Sequence, residues 1–382
     1  MNDEQLAKAM AVPLGEAHSL PFFVYRDAEH YRREMTRVLH DDWVFVCAGA
    51  EIAAPGDYFA LHLGGEPLVV LRGRDGQVRA LSNVCRHRGT QLLEDGFGRI
   101  EGNIVCPYHA WAYEDDGALK AVPLASDIKV ERQRHKLSVF AVSDWHGLLF
   151  VHLGKAPQPL HERLAGIDRY LEIFELSRFD KAFSGPIEYW DANWKLVMEN
   201  AMESYHLFKV HAQTLETLTP TRDAYYVAGN ALWTLTGGRT VVDKSGLSGL
   251  LSGGYPEAFD HYLLISLPPS FVGVLGYDTL GWLAAYPTGP QSAMIRSGGI
   301  TDDLSHFENS EARAFTEAFF AEDKDLCERV QAGMSAQLTG GGQLVDMERV
   351  VVDFHNYLAH RMFGVAPRPR IELPDAGRFL LG

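Results

Sequence analysis

The amino-acid sequence predicts an α+β protein with two domains, residues 41–154 and residues 155–382. In the first domain, short apolar runs alternate with turn signals, which indicates an antiparallel sheet. In the second domain, strand patterns group between residues 224 and 301 and helical patterns follow them, and such segregated runs are typical of α+β folds. Residues 155–159, which include two prolines, form the predicted linker. A helical segment over residues 1–40 is expected to pack on the second domain.

The strands of the first domain are predicted from three hairpin signals. The apolar run at residues 68–71 is separated from the next run, at 78–84, by Asp75-Gly76, a dipeptide that favours a tight turn. Further turns are predicted at Asp116-Gly117 and over residues 144–147. The loops between these strands should emerge at one end of the sheet.

The second domain is predicted to begin and end with helices around a set of strands. In chain order its predicted elements are a helix at 160–173, a strand near 183–191, a helical run at 194–218, strands between 224 and 301, and helices at 308–334 and 346–362.

The composition excludes several classes of function. The net charge of −15 argues against nucleic acid or an anionic membrane as a partner. The first residues, Met1 to Gln5, do not form the basic start of a signal peptide, and no run of about 18 apolar residues is present to span a membrane. A cytoplasmic protein is expected.

Two pairs of cysteine and histidine carry the first chemical signal. Cys85 and His87 form one pair, and Cys106 and His109 form the second pair after 18 intervening residues. Two thiolates on one iron and two imidazoles on the other are the ligands of a Rieske [2Fe–2S] cluster. A zinc site is the alternative, because zinc also accepts two Cys and two His. The flanking residues, Arg88-Gly89 and Ala110-Trp111, favour the cluster.

A second metal site is predicted from His206 and His211, which Glu203 precedes by three residues. Two imidazoles and one carboxylate form the facial triad of non-haem Fe(II) oxygenases. On a regular helix the two histidines would point about 140° apart and could not share an ion. If both are ligands, the helix must break or carry a π-bulge between them. The alternative is that both are ordinary, partly buried histidines of an amphipathic helix.

Three motifs together resemble those of the oxygenase (alpha) subunits of Rieske non-haem iron oxygenases. They are CRHRG, CPYHAW and the spaced pattern NWK…EN..ES.YH….H, which runs from Asn193 to His211. The resemblance implies a catalytic domain of helix-grip type (like START and Bet v 1 domains), a homotrimer, and in some members a small second subunit. It also implies a mononuclear Fe(II), O₂ as co-substrate, and electrons from NADH through a separate flavin/iron–sulfur reductase or ferredoxin.

The resemblance also implies roles for individual acidic residues. Glu203 takes the place of a carboxylate, more often Asp, that carries electrons from a Rieske histidine (here His109) of one subunit to His206 of its neighbour. The third iron ligand is expected from the acidic stretch before Val330-Gln331. Asp323 fits it best, and Glu322 and Asp325 are the alternatives.

The substrate is only weakly encoded. The Glu at position 203 and the stretch from Glu322 to Gln331 resemble members that oxidise quaternary ammonium compounds such as carnitine and glycine betaine. Aromatic side chains could hold such a cation by cation–π contact, or line a pocket for an aromatic ring instead. The candidate pocket residues are Asn200, Tyr205, Phe208, Tyr277 and Trp282, and further aromatic candidates are Tyr189, Trp190, Tyr262, Phe271 and Tyr286.

Three functions therefore follow as alternatives. The first is hydroxylation or oxidative demethylation of a small organic molecule such as a quaternary ammonium compound. The second is the corresponding oxidation of an aromatic acid or aryl ether, including dioxygenation. The third belongs to a different class: a Rieske electron-transfer protein without oxygenase activity.

Overall fold

A computed structural model describes residues 1–241, 260–305 and 310–372 of the chain. The chain forms two compact units. The cluster unit, as we name it, comprises Leu39–Leu160. The catalytic unit comprises Met1–Val38 together with the chain from His161 onward. The N-terminal segment therefore belongs to the same unit as the second half of the chain.

The cluster unit is built from antiparallel strands. Its larger sheet has seven strands in the order β1-β10-β9-β4-β3-β2-β5, and β6, β7 and β8 form a smaller sheet. The strands are β1 (Val44–Ala48), β2 (Asp57–Leu63), β3 (Glu66–Arg72), β4 (Val78–Ser82), β5 (Gly96–Arg99), β6 (Ile104–Val105), β7 (Ala112–Tyr113), β8 (Leu119–Ala121), β9 (Val139–Trp145) and β10 (Leu148–His152). All three predicted hairpins are present, at β3–β4, β7–β8 and β9–β10.

The catalytic unit carries a nine-stranded antiparallel sheet within its described residues. The order is β11-β18-β17-β16-β15-β14-β13-β19, and β12 also pairs with β18. The strands are β11 (Lys181–Ser184), β12 (Glu188–Trp190), β13 (Tyr225–Gly229), β14 (Thr234–Arg239), β15 (His261–Leu267), β16 (Phe271–Leu275), β17 (Thr279–Gly289), β18 (Ser292–Thr301) and β19 (Ile371–Glu372). Every residue of β15 is buried, so both faces of the sheet are covered there.

The helices are mostly short. They are α1 (Asp3–Met10), α2 (Ala28–Glu34), α3 (Leu160–Arg163), α4 (Trp194–Ala201), α5 (Leu207–Val210), α6 (Ser310–Gly333) and α7 (Arg349–Phe363). The helix predicted at 160–173 is wrong beyond Arg163, where single 3₁₀ turns follow instead. In the described part of the chain, no helix has the length and apolar character that crossing a membrane would require.

A buried ion pair joins α2 to α4 inside the catalytic unit. The Lys195 Nζ atom lies 2.7 Å from the Glu34 Oε1 atom, and both side chains are almost completely buried. The indole N–H of Trp194 donates to the same carboxylate at 3.2 Å, and His30 lies 3.1 Å from it. Burial alone would raise the pKa of Glu34, but the Lys195 charge and the His30 contact lower it. The Trp-Lys pair of the motif is therefore a structural anchor.

A buried carboxylate on α7 faces the sheet. Asp353 accepts hydrogen bonds from the Tyr226 hydroxyl at 2.8 Å and from the Thr234 hydroxyl at 3.3 Å. Burial raises the pKa of Asp353 from 3.8 to about 6, and the two hydrogen bonds oppose this shift only in part. The folded protein therefore binds this proton more tightly than the unfolded chain does.

We expect Asp353→Asn to stabilise the protein at pH 8. Because folding raises the pKa of Asp353, ionisation of this residue lowers the free energy of unfolding as pH rises from about 4 to about 6. The loss persists at higher pH. A pKa difference of about 2 corresponds to about 3 kcal/mol, so a gain of about 1–3 kcal/mol is expected at pH 8. The gain should shrink as pH falls toward 4, which denaturant unfolding across this pH range would measure. An equal gain at both ends of the range would contradict the assignment.

Candidate cluster loops and mononuclear metal site

Two loops of the cluster unit have the same backbone pattern. In one, the Cys85 N–H donates to the Thr90 carbonyl at 2.8 Å, and the Gly89 N–H donates to the Cys85 carbonyl at 3.0 Å. In the other, Cys106 makes the equivalent bonds, at 2.8 Å to the Trp111 carbonyl and at 3.0 Å from the Ala110 N–H. Gly89 and Ala110 occupy the same place and both have positive φ, +77° and +53°. Each cysteine thus begins a closed turn that carries its histidine.

The four predicted cluster ligands divide by exposure. The Cys85 and Cys106 thiols are buried, whereas His87 and His109 are exposed. The two imidazole centroids are 4.8 Å apart, and the Trp111 ring stacks on His87 at 4.7 Å. Buried sulfur on one side and exposed nitrogen on the other fit the two ends of a Rieske cluster.

Hydrogen-bond donors surround both sulfur atoms, but the net effect differs, because burial still raises the pKa of the Cys85 thiol. The Tyr113 hydroxyl lies 3.3 Å from the Cys85 sulfur and accepts the Arg86 N–H at 3.0 Å, so its own proton can point toward the sulfur. Burial raises the pKa of the Cys106 thiol, but backbone N–H groups of the same loop outweigh it, and the net shift is downward. A lowered thiol pKa is what a metal ligand requires. Sequence reasoning did not predict the role of Tyr113.

The predicted helical run at 194–218 is interrupted. The Asn193 side chain caps α4 by accepting the Lys195 N–H, and α4 ends at Ala201. Residues 202–206 are not α-helical, and the short helix α5 begins only at Leu207. This interruption lies before His206, whereas His206 and His211 flank the single helical turn α5, in which the Val210 and His211 N–H groups donate to the His206 and Leu207 carbonyls. The expected break or π-bulge between the two histidines is therefore wrong, and the two side chains approach each other from the two ends of one turn. The ring centroids of His206 and His211 lie 5.1 Å apart.

Helix α6 brings a carboxylate to these two histidines. The Asp323 Oδ1 atom lies 3.0 Å from the His211 Nε2 atom and 3.6 Å from the His206 Nε2 atom. One ligand atom from each of the three residues fits within 4.8 Å of the others. His211 is completely buried and Asp323 is nearly so. Two imidazoles and one carboxylate converging in this way fit a mononuclear non-haem iron site.

A glutamate carboxylate contacts the Nδ1 atom of each histidine, on the side of the ring away from the metal position. The Glu203 Oε1 atom is 2.6 Å from the His206 Nδ1 atom, and the Glu322 Oε2 atom is 2.8 Å from the His211 Nδ1 atom. Burial lowers the pKa of His211, but the contacts with Asp323 and Glu322 outweigh this and raise it. An Nδ1–H group that donates outward to its glutamate would leave the Nε2 lone pair facing the centre.

The alternatives for the third ligand lie in different places. Glu322 is on the outer side of His211, where Thr214 also donates to it at 2.8 Å. Asp325 is largely exposed and pairs with Arg329 at 3.5 Å. An open cavity of about 610 Å³ lies beside these residues. Its lining residues are Lys209, Val210, Glu322, Asp325, Leu326, Arg329 and Val330.

Strand register separates two of the aromatic candidates. Tyr262 lies beside Ser204, in the interrupted segment before His206. Trp282 pairs with Gly273, which pairs with Ile265, and directly opposed residues point to the same face. Ile265 is three positions from Tyr262 along β15, so the two side chains point to opposite faces. Trp282 and Tyr262 therefore lie on opposite faces of the sheet, and a place for Trp282 in the substrate pocket stays a prediction.

The other candidate pocket residues differ in their contacts and in their exposure to solvent. Tyr277, at the turn between β16 and β17, has the Arg178 guanidinium 4.6 Å from its ring centroid, so a cation of the protein already covers it. Tyr205 and Phe208 are 41% and 53% exposed, with ring centroids 5.9 Å apart. Asn200 is partly buried in the last turn of α4. These residues therefore have different surroundings, and their sharing of one pocket stays a prediction.

Comparison with known protein families matches both halves of the chain. Residues 42–132 match the model of the Rieske [2Fe-2S] domain, and residues 170–364 match that of the ring hydroxylating alpha subunit (catalytic domain). Each match lies inside one predicted domain, whereas the domain boundaries themselves stay a prediction.

Similar proteins include oxygenase subunits of two monooxygenases. The glycine betaine monooxygenase subunit of Chromohalobacter salexigens is 37% identical over 201 residues, which are 53% of this chain and 45% of that protein. The chain thus spans about half the length of the curated relatives that it matches at this level. The carnitine monooxygenase subunit of Escherichia coli K12 is 27% identical over 359 residues, 90% of this chain and 94% of that protein.

Solved structures share the fold. A quaternary ammonium Rieske monooxygenase in complex with L-carnitine has a TM-score of 0.78 at 21% identity, covering 95% of this chain and 99% of that one. Naphthalene 1,2-dioxygenase from Rhodococcus sp., bound to indole, has a TM-score of 0.78 at 20% identity, covering 95% and 98%. The predicted α+β combination of an antiparallel Rieske domain and a helix-grip domain is confirmed.

Proposed function

The chain belongs to the ring-hydroxylating oxygenase alpha-subunit family, and from this premise we propose that it is the oxygenase component of a multicomponent Rieske system. Its reaction is the hydroxylation or oxidative demethylation of a small organic molecule with O₂. The observation that carries this proposal is the convergence of His206, His211 and Asp323. An electron-transfer protein has no need of such a second site, so the convergence favours an oxygenase over that alternative.

The proposal assigns the metal ligands as follows. Cys85, His87, Cys106 and His109 hold the [2Fe–2S] cluster, and His206, His211 and Asp323 hold one iron. When bound, the cluster supplies electrons and the mononuclear iron binds and activates O₂.

Protein groups around the mononuclear site prepare its ligands. Glu203 accepts the Nδ1–H of His206 and so fixes the orientation and tautomer of this ring. Burial of His211 and Asp323 keeps bulk water from the inner side of the site. Asp323 neutralises part of the charge that a divalent ion brings into this buried space.

The oxygenase also needs an assembly that brings its two metal sites together and a source of electrons. We propose a homotrimer in which the exposed His109 of one copy meets Glu203 of its neighbour, and a separate flavin/iron–sulfur reductase or ferredoxin that passes electrons from NADH. The exposure of both cluster histidines supports this arrangement, because an electron-transfer site must be approached closely by its partner. A cytoplasmic location is consistent with this supply of NADH and is part of the proposal.

A quaternary ammonium compound is the proposed substrate class. Support comes from the similarity to glycine betaine and carnitine monooxygenase subunits. An aromatic acid or aryl ether is the second candidate, because the large oxygenase component of the naphthalene 1,2-dioxygenase system from Pseudomonas putida is 32% identical over 201 residues. That alignment covers 51% of this chain, so it weighs less than the carnitine subunit's 90%.

Substrate-dependent oxygen uptake tests the proposal. The iron-loaded protein, a surrogate reductase and NADH would be given quaternary ammonium compounds, aromatic acids and aryl ethers, with products identified by mass spectrometry. We expect uptake and a hydroxylated or demethylated product with an ammonium compound. Turnover of an aromatic compound alone would contradict the substrate class and leave the oxygenase standing. Two irons per chain, rather than the three that a cluster plus one mononuclear iron requires, would favour the electron-transfer protein.

A further inference from the structure

Both ring nitrogens of His211 face a carboxylate. The Nδ1 atom is 2.8 Å from Glu322 Oε2, and the Nε2 atom is 3.0 Å from Asp323 Oδ1. Glu322 and Asp323 are consecutive residues of α6, so their side chains leave the helix about 100° apart and reach opposite edges of the ring. A neutral imidazole has only one N–H. The two carboxylates therefore compete for the position of that proton.

The outcome of this competition matters for metal binding. If the proton is on Nδ1, the Nε2 lone pair points at the metal position. If the proton is on Nε2, it is donated to Asp323. That hydrogen bond then occupies the His211 Nε2 and Asp323 Oδ1 atoms, both of which are needed as metal ligands. A metal can bind only after that bond is broken.

Glu322 is itself held in place. The Thr214 hydroxyl donates to the same Oε2 atom at 2.8 Å, and Thr214 is buried. The Thr214 N–H donates in turn to the His211 carbonyl at 3.0 Å. His211, Glu322 and Thr214 are therefore each hydrogen-bonded to the other two. Because the Thr214 hydroxyl donates a proton, it keeps Oε2 as an acceptor and points it toward Nδ1.

We propose that Glu322, oriented by Thr214, is a positioning residue that fixes the Nδ1–H tautomer of His211 and thereby holds the mononuclear metal. The proposal rests on the iron site described under the proposed function, and it gives a role to Glu322, which is not one of the assigned ligands. It makes the site symmetric, because Glu203 serves His206 in the same way. The two glutamates differ in exposure, since the Glu322 side chain is 34% exposed and the Glu203 side chain 11%.

Metal affinity tests the proposal without measuring turnover. The protein with its cluster assembled would be stripped of mononuclear iron and titrated with Fe(II) or Co(II) without oxygen, against a competing chelator. We expect Glu322→Gln to weaken binding by about 10- to 100-fold, the usual effect of losing a partner of a ligand histidine. The Gln amide can donate to Nδ1, which favours the wrong tautomer. Thr214→Val should weaken binding by less, and the visible spectrum of bound Co(II) should change in both variants.

Asp325→Asn is the matched control. Asp325 lies on the same helix, lines the same cavity and carries the same charge, but it pairs with Arg329 and not with a histidine. Its replacement should leave metal affinity unchanged, and the cluster absorption should be the same in all variants. Wild-type affinity in Glu322→Gln, or equal losses in Glu322→Gln and Asp325→Asn, would overturn the proposal. If His211→Ala also left metal binding intact, the iron site itself would be misassigned, which is a different failure.

Discussion

Replacing Asp323 with alanine is expected to leave the protein folded but without its mononuclear iron. The Asp323 carboxylate is the only acidic group among the described residues that lies within reach of both Nε2 atoms, at 3.0 Å and 3.6 Å. Two imidazoles alone would hold a divalent ion weakly. We expect iron to fall from about three to about two atoms per chain, the cluster alone remaining. Turnover should fall more than the 10- to 100-fold typical of losing a ligand's outer partner.

Iron analysis and oxygen uptake, made on the same samples, would measure this effect. Asp325→Asn serves as the control here as well, since it removes a nearby, exposed carboxylate that pairs with Arg329. The Rieske absorption should be unchanged, which would show that the cluster unit is intact. If Glu322→Ala removed the iron and Asp323→Ala retained it, Glu322 would be the ligand and the geometry at His211 would have been misread.

Replacing Lys195 with methionine is expected to have the largest effect on stability. Lys195 and Glu34 are both buried and 2.7 Å apart, and Glu34 also holds the Trp194 indole N–H. Removing the lysine leaves a charged carboxylate in an apolar interior. Breaking a buried ion pair in this way costs about 3–5 kcal/mol. Because Lys195 lies one residue into α4, the loss should also loosen the helix that leads to His206.

Denaturant unfolding followed by tryptophan fluorescence would measure this loss. The double variant Glu34→Leu, Lys195→Met is the informative control, because replacing both members of a buried pair by apolar residues is often neutral or stabilising. We therefore expect the double variant to recover much of the stability that the single variant loses. A single variant as stable as the wild type would mean that water reaches Glu34 when the lysine is absent.

Local sequence patterns were sufficient for the cluster loops. The ligand spacing, the flanking residues and the hairpin signals all act over a few residues, and the three hairpins are confirmed. The family resemblance is confirmed as well. The assignment of Cys85, His87, Cys106 and His109 as ligands stays a prediction, supported by the matching hydrogen bonds of the two loops.

Predictions that depend on the orientation of side chains across the fold have less support from the sequence. Trp282 is a predicted pocket residue, and the register of β15, β16 and β17 places it on the face opposite Tyr262, another aromatic candidate. Tyr277 is another predicted pocket residue, and the Arg178 guanidinium lies 4.6 Å from its ring centroid, so its contact with a substrate stays a prediction. Residue type and periodicity show that an aromatic residue is in a strand, and they do not show which face of a wide sheet meets the active-site helices.

The sequence by itself determined the class of the protein and the types of its metal ligands, because thiolate, imidazole and carboxylate groups at fixed spacing limit the metals that can bind. The helix break that the sequence argument required between His206 and His211 is absent, because the two histidines lie at the ends of the single turn α5 and converge from there. Only the tertiary structure decided which carboxylate of α6 faces which nitrogen of His211. Glu322 and Asp323 are adjacent and chemically alike, so their roles depend on how α6 packs against residues 202–214, more than 100 positions away.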